Sequence, residues 1–427
     1  MAKQFSAVDR QKHIYLNGLS GNKPRVPVDM NALAETARRH MSKAGYAYIA
    51  GGAGQELTLK NNRQGFNNWQ IVPQMLKDVS QGDTQLTLFG QTFPSPLLLA
   101  PIGVLEMAHP EGDIPVARAA AGLGVPMIYS SQASVPVENW AAAMGDVPRW
   151  FQLYWSKSNE LVKSFIKRAE KSGCSAIVVT LDTTMPGWRV RDLDLAFLPF
   201  MHGMGIAQYV SDPVFQQLID ETDETNLVEP KRQLSWQMIK TIVSLMRKYP
   251  GGFLENIRSQ RPIKAMRKFI NIFINPALSW EDLSFLRQHT QLPILLKGIL
   301  HPQDAQKALD YGLDGIIVSN HGGRQVDGSI SAIEALPDIA SVIGSKMPIL
   351  LDSGIRTGAD IFKALALGAT AVCLGRPYVY GLAIAGEEGV REVLENIMAD
   401  FELTMRLAGC RNLQEIKEVG VKTRGEV

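Results

Sequence analysis

The 427-residue sequence has few of the features that mark several large classes of protein. It contains only three cysteines, Cys174, Cys373 and Cys410, and no two of them have the CxxC spacing of a redox or zinc site. No run approaches the ~18 uninterrupted apolar residues of a membrane-spanning helix, and residues 1–18 lack the apolar core of a secretory signal. These absences predict a soluble protein of the reducing cytoplasm, without a metal site.

An excess of charge of one sign is missing as well. The chain has 44 Lys and Arg against 42 Asp and Glu, a formal charge of +2 that gives no general case for a nucleic-acid partner. A hydrophobic content of 45% with 20% charged residues excludes a disordered or fibrous chain. The length fits one large α/β domain or two ordinary ones.

From residue 96 onward, eight short apolar runs alternate with helical patterns. Several of these runs are rich in Val, Ile and Leu without alternation, as in strands buried on both faces of a parallel sheet. Such a series predicts a (β/α)8 TIM barrel whose active site lies at the carboxyl ends of the strands. The runs are Pro96–Pro101, Val125–Ser130, Trp150–Tyr154, Ala176–Asp182, Pro293–Lys297, Gly315–Asn320, Pro348–Asp352 and Ala371–Arg376.

The alternative is an open doubly wound sheet, but the G-x-G-x-x-G fingerprint of its first turn is missing. We therefore predict a single domain. Helices are expected over Asn159–Lys171, capped by Ser158 or Asn159, and over Pro302–Tyr311. The expected segments are a helical lead-in (1–94), strands one to four (95–191), a long insert (192–278), strands five to eight (279–415) and a tail (416–427).

Polar residues at the predicted strand ends suggest the chemistry. The loops SGIRTG (353–358) and LGRP (374–377) follow the last two strands, which in such barrels commonly bind a phosphate. The loop SNHGGRQ (319–325) places His321 three residues before Arg324, a spacing that suits a base beside a carboxylate clamp. Lys297 is the one lysine at a predicted strand end, and as a Schiff-base nucleophile it would instead indicate an aldolase-type lyase. Each residue alone could be structural, so the prediction depends on their joint occurrence.

These motifs resemble the FMN-dependent α-hydroxy-acid oxidases and dehydrogenases over residues 40–190 and 278–415. The resemblance lies in YIAGGAGQELTLKNN (48–62), LAPIGVLEMAHPEGD (99–113), RWFQLY (149–154), VTLDT (179–183), LLKGI (295–299), VSNHGGRQ (318–325), LDSGIRTGADIFKALALGA (351–369) and LGRP (374–377). It implies an FMN cofactor and a homotetramer. The alternatives from other classes are the lyase and a flavin-binding scaffold without turnover.

The resemblance also implies roles for individual residues. Lys297 would face the N1 edge of the flavin, where a fixed ammonium stabilises the charge of the reduced ring. His321 would be the base, and Asp182 would pair with its imidazolium, whether the proton comes from the hydroxyl or from the α-carbon. The substrate carboxylate would contact Tyr48, Arg189 and Arg324, and Tyr154 would bind its carboxylate or hydroxyl. The remaining cofactor contacts would be Pro101, Ile102, Gly103, Ser130, Gln152, Thr180, Ser319, Asp352, Gly354, Arg356, Gly375 and Arg376.

Within the family, the likeness is greatest to the lactate 2-monooxygenase branch, through GWRVRDL (187–193), SDPVFQ (211–216) and Gly103. The missing methyl at Gly103 could change oxygen access or keto-acid retention, or it could serve only close backbone approach to the flavin. We expect oxidation of L-lactate with O2, and either release of keto acid and peroxide or decarboxylation to acetate. A quinone- or cytochrome-coupled dehydrogenase is the other alternative. Gln132 replaces the aromatic residue of related pockets, so a larger or more polar 2-hydroxy acid is also open.

The insert is polarised in charge. No Lys or Arg lies between Asp192 and Glu229, whereas 231–275 carries many cations and one acid, Glu255. Apolar residues at helical spacing, from Trp236 and from Ile263, predict two basic amphipathic helices. Three interpretations are a lid over the flavin packed on neighbouring subunits, a peripheral contact with a membrane surface, and a disordered or solvated segment.

Overall fold

The computed structural model describes residues 6–221 and 235–424. Eight parallel strands form a closed barrel, in the chain order β1 to β8, with β8 pairing back to β1. The barrel and its eight predicted strands are therefore confirmed. The strands are Leu97–Leu99 (β1), Met127–Ser130 (β2), Arg149–Leu153 (β3), Ile177–Thr180 (β4), Ile294–Ile299 (β5), Gly315–Val318 (β6), Ile349–Leu351 (β7) and Ala371–Leu374 (β8).

Every strand is buried on both sides, which explains the continuous apolar runs. Ile128, Trp150 and Val178 are among the side chains that fill the barrel interior, while alternate residues pack against the helices. A hairpin of Leu86–Leu88 and Gln91–Phe93 packs on this interior cluster through Leu88 and Phe93. The interior is thus a packed core, and a site for a ligand is expected at the carboxyl ends of the strands.

Helices surround the barrel. The predicted helix Asn159–Lys171 is present, and the Ser158 hydroxyl caps it by accepting from the Leu161 N–H. The helix predicted over Pro302–Tyr311 ends one residue earlier. The helices are Asp113–Gly122, Val137–Met144, Asn159–Lys171, Leu283–His289, Pro302–Asp310, Ala332–Ile343, Gly358–Ala366, Arg376–Leu407 (kinked at Ala385 and Gly386) and Leu413–Val419.

The lead-in is helical as predicted and reaches the barrel mouth. Its helices are Ala7–Leu19, Met30–His40, Lys43–Ala50 and Leu57–Gln64, followed by a 3₁₀ turn over Gly65–Asn68. The short strand Trp69–Gln70 pairs with Lys422–Thr423, which joins the lead-in to the tail. Asp327, beyond β6, accepts from the Gln55 and Thr58 N–H groups and so fixes the loop before the fourth helix.

The described parts of the insert between β4 and β5 are mainly short helices. The two predicted amphipathic helices are confirmed as Trp236–Lys248 and Arg261–Ile272, with Phe253–Ser259 between them. The change from acidic to basic residues at 222–234 lies outside the described residues. The other elements are Val190–Asp194, Pro199–His202 (3₁₀), Ala207–Val210 and Pro213–Leu218. None of the described helices combines the length and apolar content that a membrane crossing would need.

Candidate active site

A cavity of about 290 Å³ lies at the carboxyl ends of the strands. Its walls come from the lead-in, the ends of all eight strands and the insert, so distant parts of the sequence meet there. Predicted residues that line it are Tyr48, Pro101, Ile102, Gly103, Tyr154, Arg189, Lys297, His321, Arg324, Asp352, Gly354, Arg356, Gly375 and Arg376.

His321, which lines the cavity, is paired with an aspartate behind it. His321 Nδ1 lies 2.7 Å from Asp182 Oδ1, and His321 Nε2 lies 3.4 Å from the Tyr154 hydroxyl. Burial lowers the pKa of His321, although Asp182 opposes this. Burial would raise the pKa of Asp182, but His321 and Lys297 outweigh it and the pKa is lowered. The pair is therefore a neutral imidazole oriented by a carboxylate, the arrangement of a general base.

The backbone of the loop after β6 explains its glycines. His321, Gly322 and Gly323 all have positive φ angles, of 58°, 64° and 76°. A Cβ at Gly323 would lie 2.6 Å from the Leu59 nitrogen, and one at Gly322 would lie 2.8 Å from Arg376 Nη1. Glycine is thus required at both positions. The left-handed conformation of His321 is the kind of local strain that structures retain at functional sites.

Two arginines form a cationic corner next to this pair. Arg324 donates to the backbone oxygens of Tyr48 and Gly51, and its guanidinium lies 5.0 Å from the centre of the Tyr48 ring. Burial and the neighbouring charge of Arg189 lower the pKa of Arg324 to about 9. Two like charges held together in a buried corner favour binding of an anion such as a carboxylate.

A second cationic corner lies at the ends of β7 and β8. Burial lowers the pKa of Arg356 to about 10, and it lowers the pKa of Arg376 as well. Arg376 donates to the backbone oxygens of Ile49, Gly51 and Gly322, so its position depends on the lead-in. It also begins the helix Arg376–Leu407, whose first N–H groups add positive potential.

Lys297 lines the same cavity from the carboxyl-terminal half of β5. Its ammonium is buried, 3.0 Å from Asp352 Oδ2, and it donates to the Ser319 hydroxyl at 2.8 Å. Burial would lower its pKa, but Asp352 and Asp182 outweigh this and raise it above the ordinary value. Lys297 therefore stays an ammonium, which disfavours the lyase alternative because a Schiff-base lysine must be neutral.

Five predicted site residues do not line the cavity. Gln152 donates to the Thr180 hydroxyl and accepts from the Ser131 N–H, and the Ser130 hydroxyl accepts from the Gln132 N–H. Ser319 is hydrogen-bonded to Lys297, and Asp182 acts through His321. Direct contacts of Ser130, Gln152, Thr180 and Ser319 with a flavin stay predictions.

Residues of the insert form much of the cavity roof, which the individual predictions missed. They are Leu198, Phe200, Ile270, Phe273 and Ile274. The helical spacing of Ile263, Met266, Ile270 and Phe273 was a signal for an amphipathic helix, but it could not show what the apolar face covers. Contact between the insert and the cavity is what the lid interpretation expects.

Gln325 was also missed as a positioning residue. Its amide nitrogen donates to the backbone oxygens of Asp182 and Met185, and its amide oxygen accepts from Gly187 and Arg189. It thereby ties the loop after β4 to the loop after β6, so that His321 meets Asp182 and Arg189 meets Arg324. The motif SNHGGRQ contained this residue, yet its role depends on a contact across 140 residues.

Gly103 has a packing explanation in the structure. A Cβ there would lie 2.5 Å from the backbone oxygen of Gln132 and 2.7 Å from its Cβ. Real Cβ contacts are almost never that close, so the wall formed by Gln132 would have to move. The glycine therefore allows the backbone to lie close to Gln132, whereas its approach to a flavin and its effect on oxygen access stay predictions.

The residues present fit FMN. Arg356 and Arg376, with no acid paired to either within 6–221 and 235–424, suit a phosphate group. A Cβ at Gly354 would lie 2.4 Å from the backbone oxygen of Asn62. The loop after β7 can therefore lie this close to the lead-in only because residue 354 is glycine. Lys297 would supply positive charge to the flavin, and Pro101 and Ile102 would contribute apolar side chains to the wall that holds it.

Comparisons with known proteins show the family of the chain. The family described as FMN-dependent dehydrogenase matches residues 37–423. The chain is 40% identical to an L-lactate oxidase of Lysinibacillus sphaericus, covering 92% of each chain. It is also 40% identical to an FMN-dependent alpha-hydroxy acid dehydrogenase of Penicillium citrinum, over 95% of this chain and 93% of that one. A crystal structure of a mandelate oxidase has a TM-score of 0.74 at 32% identity, covering 93% of this chain and 99% of the other. The chain therefore belongs to the FMN-dependent dehydrogenase family and is an FMN-dependent 2-hydroxy-acid oxidoreductase.

Proposed function

We propose that the enzyme oxidises an L-2-hydroxy acid, with L-lactate as the first candidate, to the 2-keto acid with O2 as electron acceptor. The observation that carries the proposal is the His321–Asp182 pair, held 2.7 Å apart beside the Arg189 and Arg324 corner. A base and a carboxylate site therefore share one wall of the cavity. That is the minimum needed to bind a 2-hydroxy acid and to remove a proton from it.

The substrate carboxylate would bind between Arg189 and Arg324. Arg324 is already fixed by two backbone oxygens, so little conformational entropy is lost when the anion binds. Tyr48 supplies a hydroxyl in the same corner, and Tyr154 supplies another within 3.4 Å of His321. Burial raises the pKa of Tyr154 to about 12, so it acts as a hydrogen-bond donor near neutral pH.

His321 accepts a proton from the substrate through Nε2. Its other nitrogen, Nδ1, faces Asp182, which selects the tautomer with a free lone pair on Nε2. The carboxylate then stabilises the imidazolium until the proton leaves. When bound, FMN supplies the two-electron acceptor for the oxidation. Lys297, whose ammonium is held by Asp352, would supply a fixed positive charge to the reduced cofactor.

What happens to the keto acid and the peroxide distinguishes an oxidase from a monooxygenase. An oxidase releases keto acid and hydrogen peroxide, whereas a lactate 2-monooxygenase keeps pyruvate bound until peroxide converts it to acetate, CO2 and water. The roof of Leu198, Phe200, Ile270 and Phe273 supports product retention, because it covers the cavity with apolar side chains. We therefore keep the monooxygenase outcome as the leading candidate.

Product analysis tests the proposal. The purified holoenzyme is incubated with L-lactate and oxygen, and pyruvate, acetate, CO2 and peroxide are quantified against oxygen consumed. Acetate and CO2 equal to the lactate consumed support the monooxygenase, whereas pyruvate and peroxide in equal amounts support the oxidase. Anaerobic reduction of the flavin by a 2-hydroxy acid without any turnover in oxygen would contradict O2 as the acceptor. It would favour a dehydrogenase.

We also propose that the enzyme is a homo-oligomer, with the tetramer as the specific expectation. Met185, Trp188 and Val326 are exposed apolar residues on the two loops that Gln325 joins. A contact with a second copy would bury them beside the cavity mouth. Sedimentation equilibrium of the holoenzyme measures the mass directly, and a monomer would contradict the proposal.

A further inference from the structure

Two consecutive helices of the insert carry an exposed apolar surface. It consists of Trp236, Ile239, Phe253, Leu254 and Ile257, which we call the insert patch. Trp236 is 79% exposed and Leu254 is 69% exposed, although both are large apolar residues. The guanidinium of Arg247 lies 6.0 Å from the centre of the Phe253 ring, which connects the two helices. The contact of Arg247 with Phe253 joins the exposed faces of the two helices, and the insert patch takes side chains from both.

The insert patch is not needed to hold these helices in place. The opposite side of the first helix is buried through Leu245 and Met246. Asn256 is buried on the second helix and donates to the backbone oxygens of Met246 and Tyr249. Both helices thus have an inner face that packs on the protein. Clustered exposed apolar side chains beyond such packing mark an interaction surface.

The charges around the insert patch define its partner. Lys240, Arg247 and Arg258 are exposed beside it, and Glu255 is the one acid among the described residues 235–275. Two other cations of the segment are paired, since Lys248 contacts Glu106 and Arg261 contacts Asp220. The surface thus combines apolar side chains, including a tryptophan, with an excess of positive charge. Helices of this composition bind at the boundary between the headgroups and acyl chains of anionic lipids.

A second copy of the chain fits this surface less well. In a symmetric contact the patch would face itself, which would place Lys240, Arg247 and Arg258 opposite like charges. Glu255 alone could offset them, and like charges across an interface oppose association. An anionic bilayer supplies both the negative charge and the apolar environment.

We propose that the insert patch docks the enzyme on the surface of an anionic lipid bilayer. The helix that follows the patch, Arg261–Ile272, carries Ile270 into the cavity roof. Docking would therefore place lipid next to the segment that covers the active site. This proposal does not depend on the identity of the substrate or of the electron acceptor.

Vesicle co-sedimentation tests the proposal. The holoenzyme is mixed with vesicles of phosphatidylcholine alone or with added phosphatidylglycerol, at low and high salt. We expect binding only to the anionic vesicles, weakened by salt, and about tenfold weaker binding in Trp236→Ser/Leu254→Ser and in Lys240→Glu/Arg258→Glu. The matched control is Tyr15→Ser/Leu19→Ser, which removes two equally exposed apolar residues from the N-terminal helix. It should bind like the wild type.

The patch variants should keep the turnover of the wild type with soluble acceptors, which shows that they are folded. Equal binding of wild type and patch variants, or equal binding to neutral and anionic vesicles, would overturn the proposal. A lower oligomer mass of the patch variants, measured without vesicles, would overturn it as well. In that case the patch would be a contact between copies of the chain.

Discussion

The Nδ1 atom of His321 lies 2.7 Å from Oδ1 of Asp182, across 139 residues of sequence. This contact decides which nitrogen of the imidazole faces the cavity. It also places the negative charge that an imidazolium needs at the opposite side of the ring from the substrate. The direction of proton transfer is thus built into the barrel, since the two residues follow β6 and β4.

Replacing the base should stop reduction without loss of the cofactor. We expect His321→Gln to lower the rate of anaerobic flavin reduction by a 2-hydroxy acid by about 10²–10⁴-fold. Flavin content should be unchanged, because the cationic corners remain. Stopped-flow absorbance of the flavin measures the rate. His13→Gln, at an exposed position of the first helix, is the control. Rapid reduction in His321→Gln would show that another group is the base.

The pH dependence should follow the neutral form of His321. Since burial lowers its pKa below the ordinary value of about 6.5, kcat/KM should be constant near neutral pH. It should fall as the pH decreases through that lowered pKa. Asp182 opposes the lowering, so Asp182→Asn should move the acid limb to still lower pH and reduce the plateau. A limb that moves to higher pH in Asp182→Asn would contradict this coupling.

The fold and most of the cavity wall could be predicted from the sequence because each signal is local. Apolar runs such as β5 and β7 are read directly as buried strands, and their last residues necessarily meet at one end of a barrel. Lys297, His321 and Arg356 could therefore be placed together before any contact was known. Tyr48 lies in the lead-in, away from any strand end, and only the family resemblance predicted that it belongs to the site.

What the sequence could not show are contacts between loops distant in the chain. The roles of Gln325 and of the roof residue Ile270 depend on how the insert and the β6 loop pack, and no periodicity specifies that. The packing reason for glycine at position 103 could not be predicted from the sequence either. A missing methyl indicates space only when its neighbour, here the backbone of Gln132, is known.

Arg376 should be essential for FMN affinity through its geometry as well as its charge. Its guanidinium donates to three backbone oxygens, of Ile49, Gly51 and Gly322, which a lysine ammonium cannot reproduce in the same plane. We expect Arg376→Lys to raise the Kd for FMN at least about tenfold, measured by fluorescence titration of the apoprotein. Arg38→Lys, in an exposed helical ion pair, should leave the Kd unchanged. Wild-type affinity in Arg376→Lys would show that charge alone suffices.

Gly103→Ala distinguishes a packing role from a role in oxygen access. Because the added methyl would lie 2.5 Å from the Gln132 oxygen, we expect the free energy of unfolding to fall by about 1–3 kcal/mol. Denaturant unfolding measures this. Gly122→Ala, where a Cβ meets nothing within 4 Å, should be neutral or slightly stabilising. If Gly103→Ala is fully stable and changes only the ratio of acetate to pyruvate, the glycine acts on oxygen or product retention instead.

Gln132 should select the side chain of the substrate. It is only 6% exposed and lines the cavity, and its side-chain amide makes no hydrogen bond to any residue in the described parts of the chain. An amide in this position can bind a substrate side chain that carries a hydroxyl, whereas Met of similar size cannot. We expect Gln132→Met to lower kcat/KM for L-glycerate about fivefold relative to L-2-hydroxybutyrate, since one lost hydrogen bond costs about 1 kcal/mol. Gln306→Met, on an exposed helix face, is the control. An equal loss for both acids would mean that Gln132 only shapes the wall, because a change of shape alone acts on the two substrates alike.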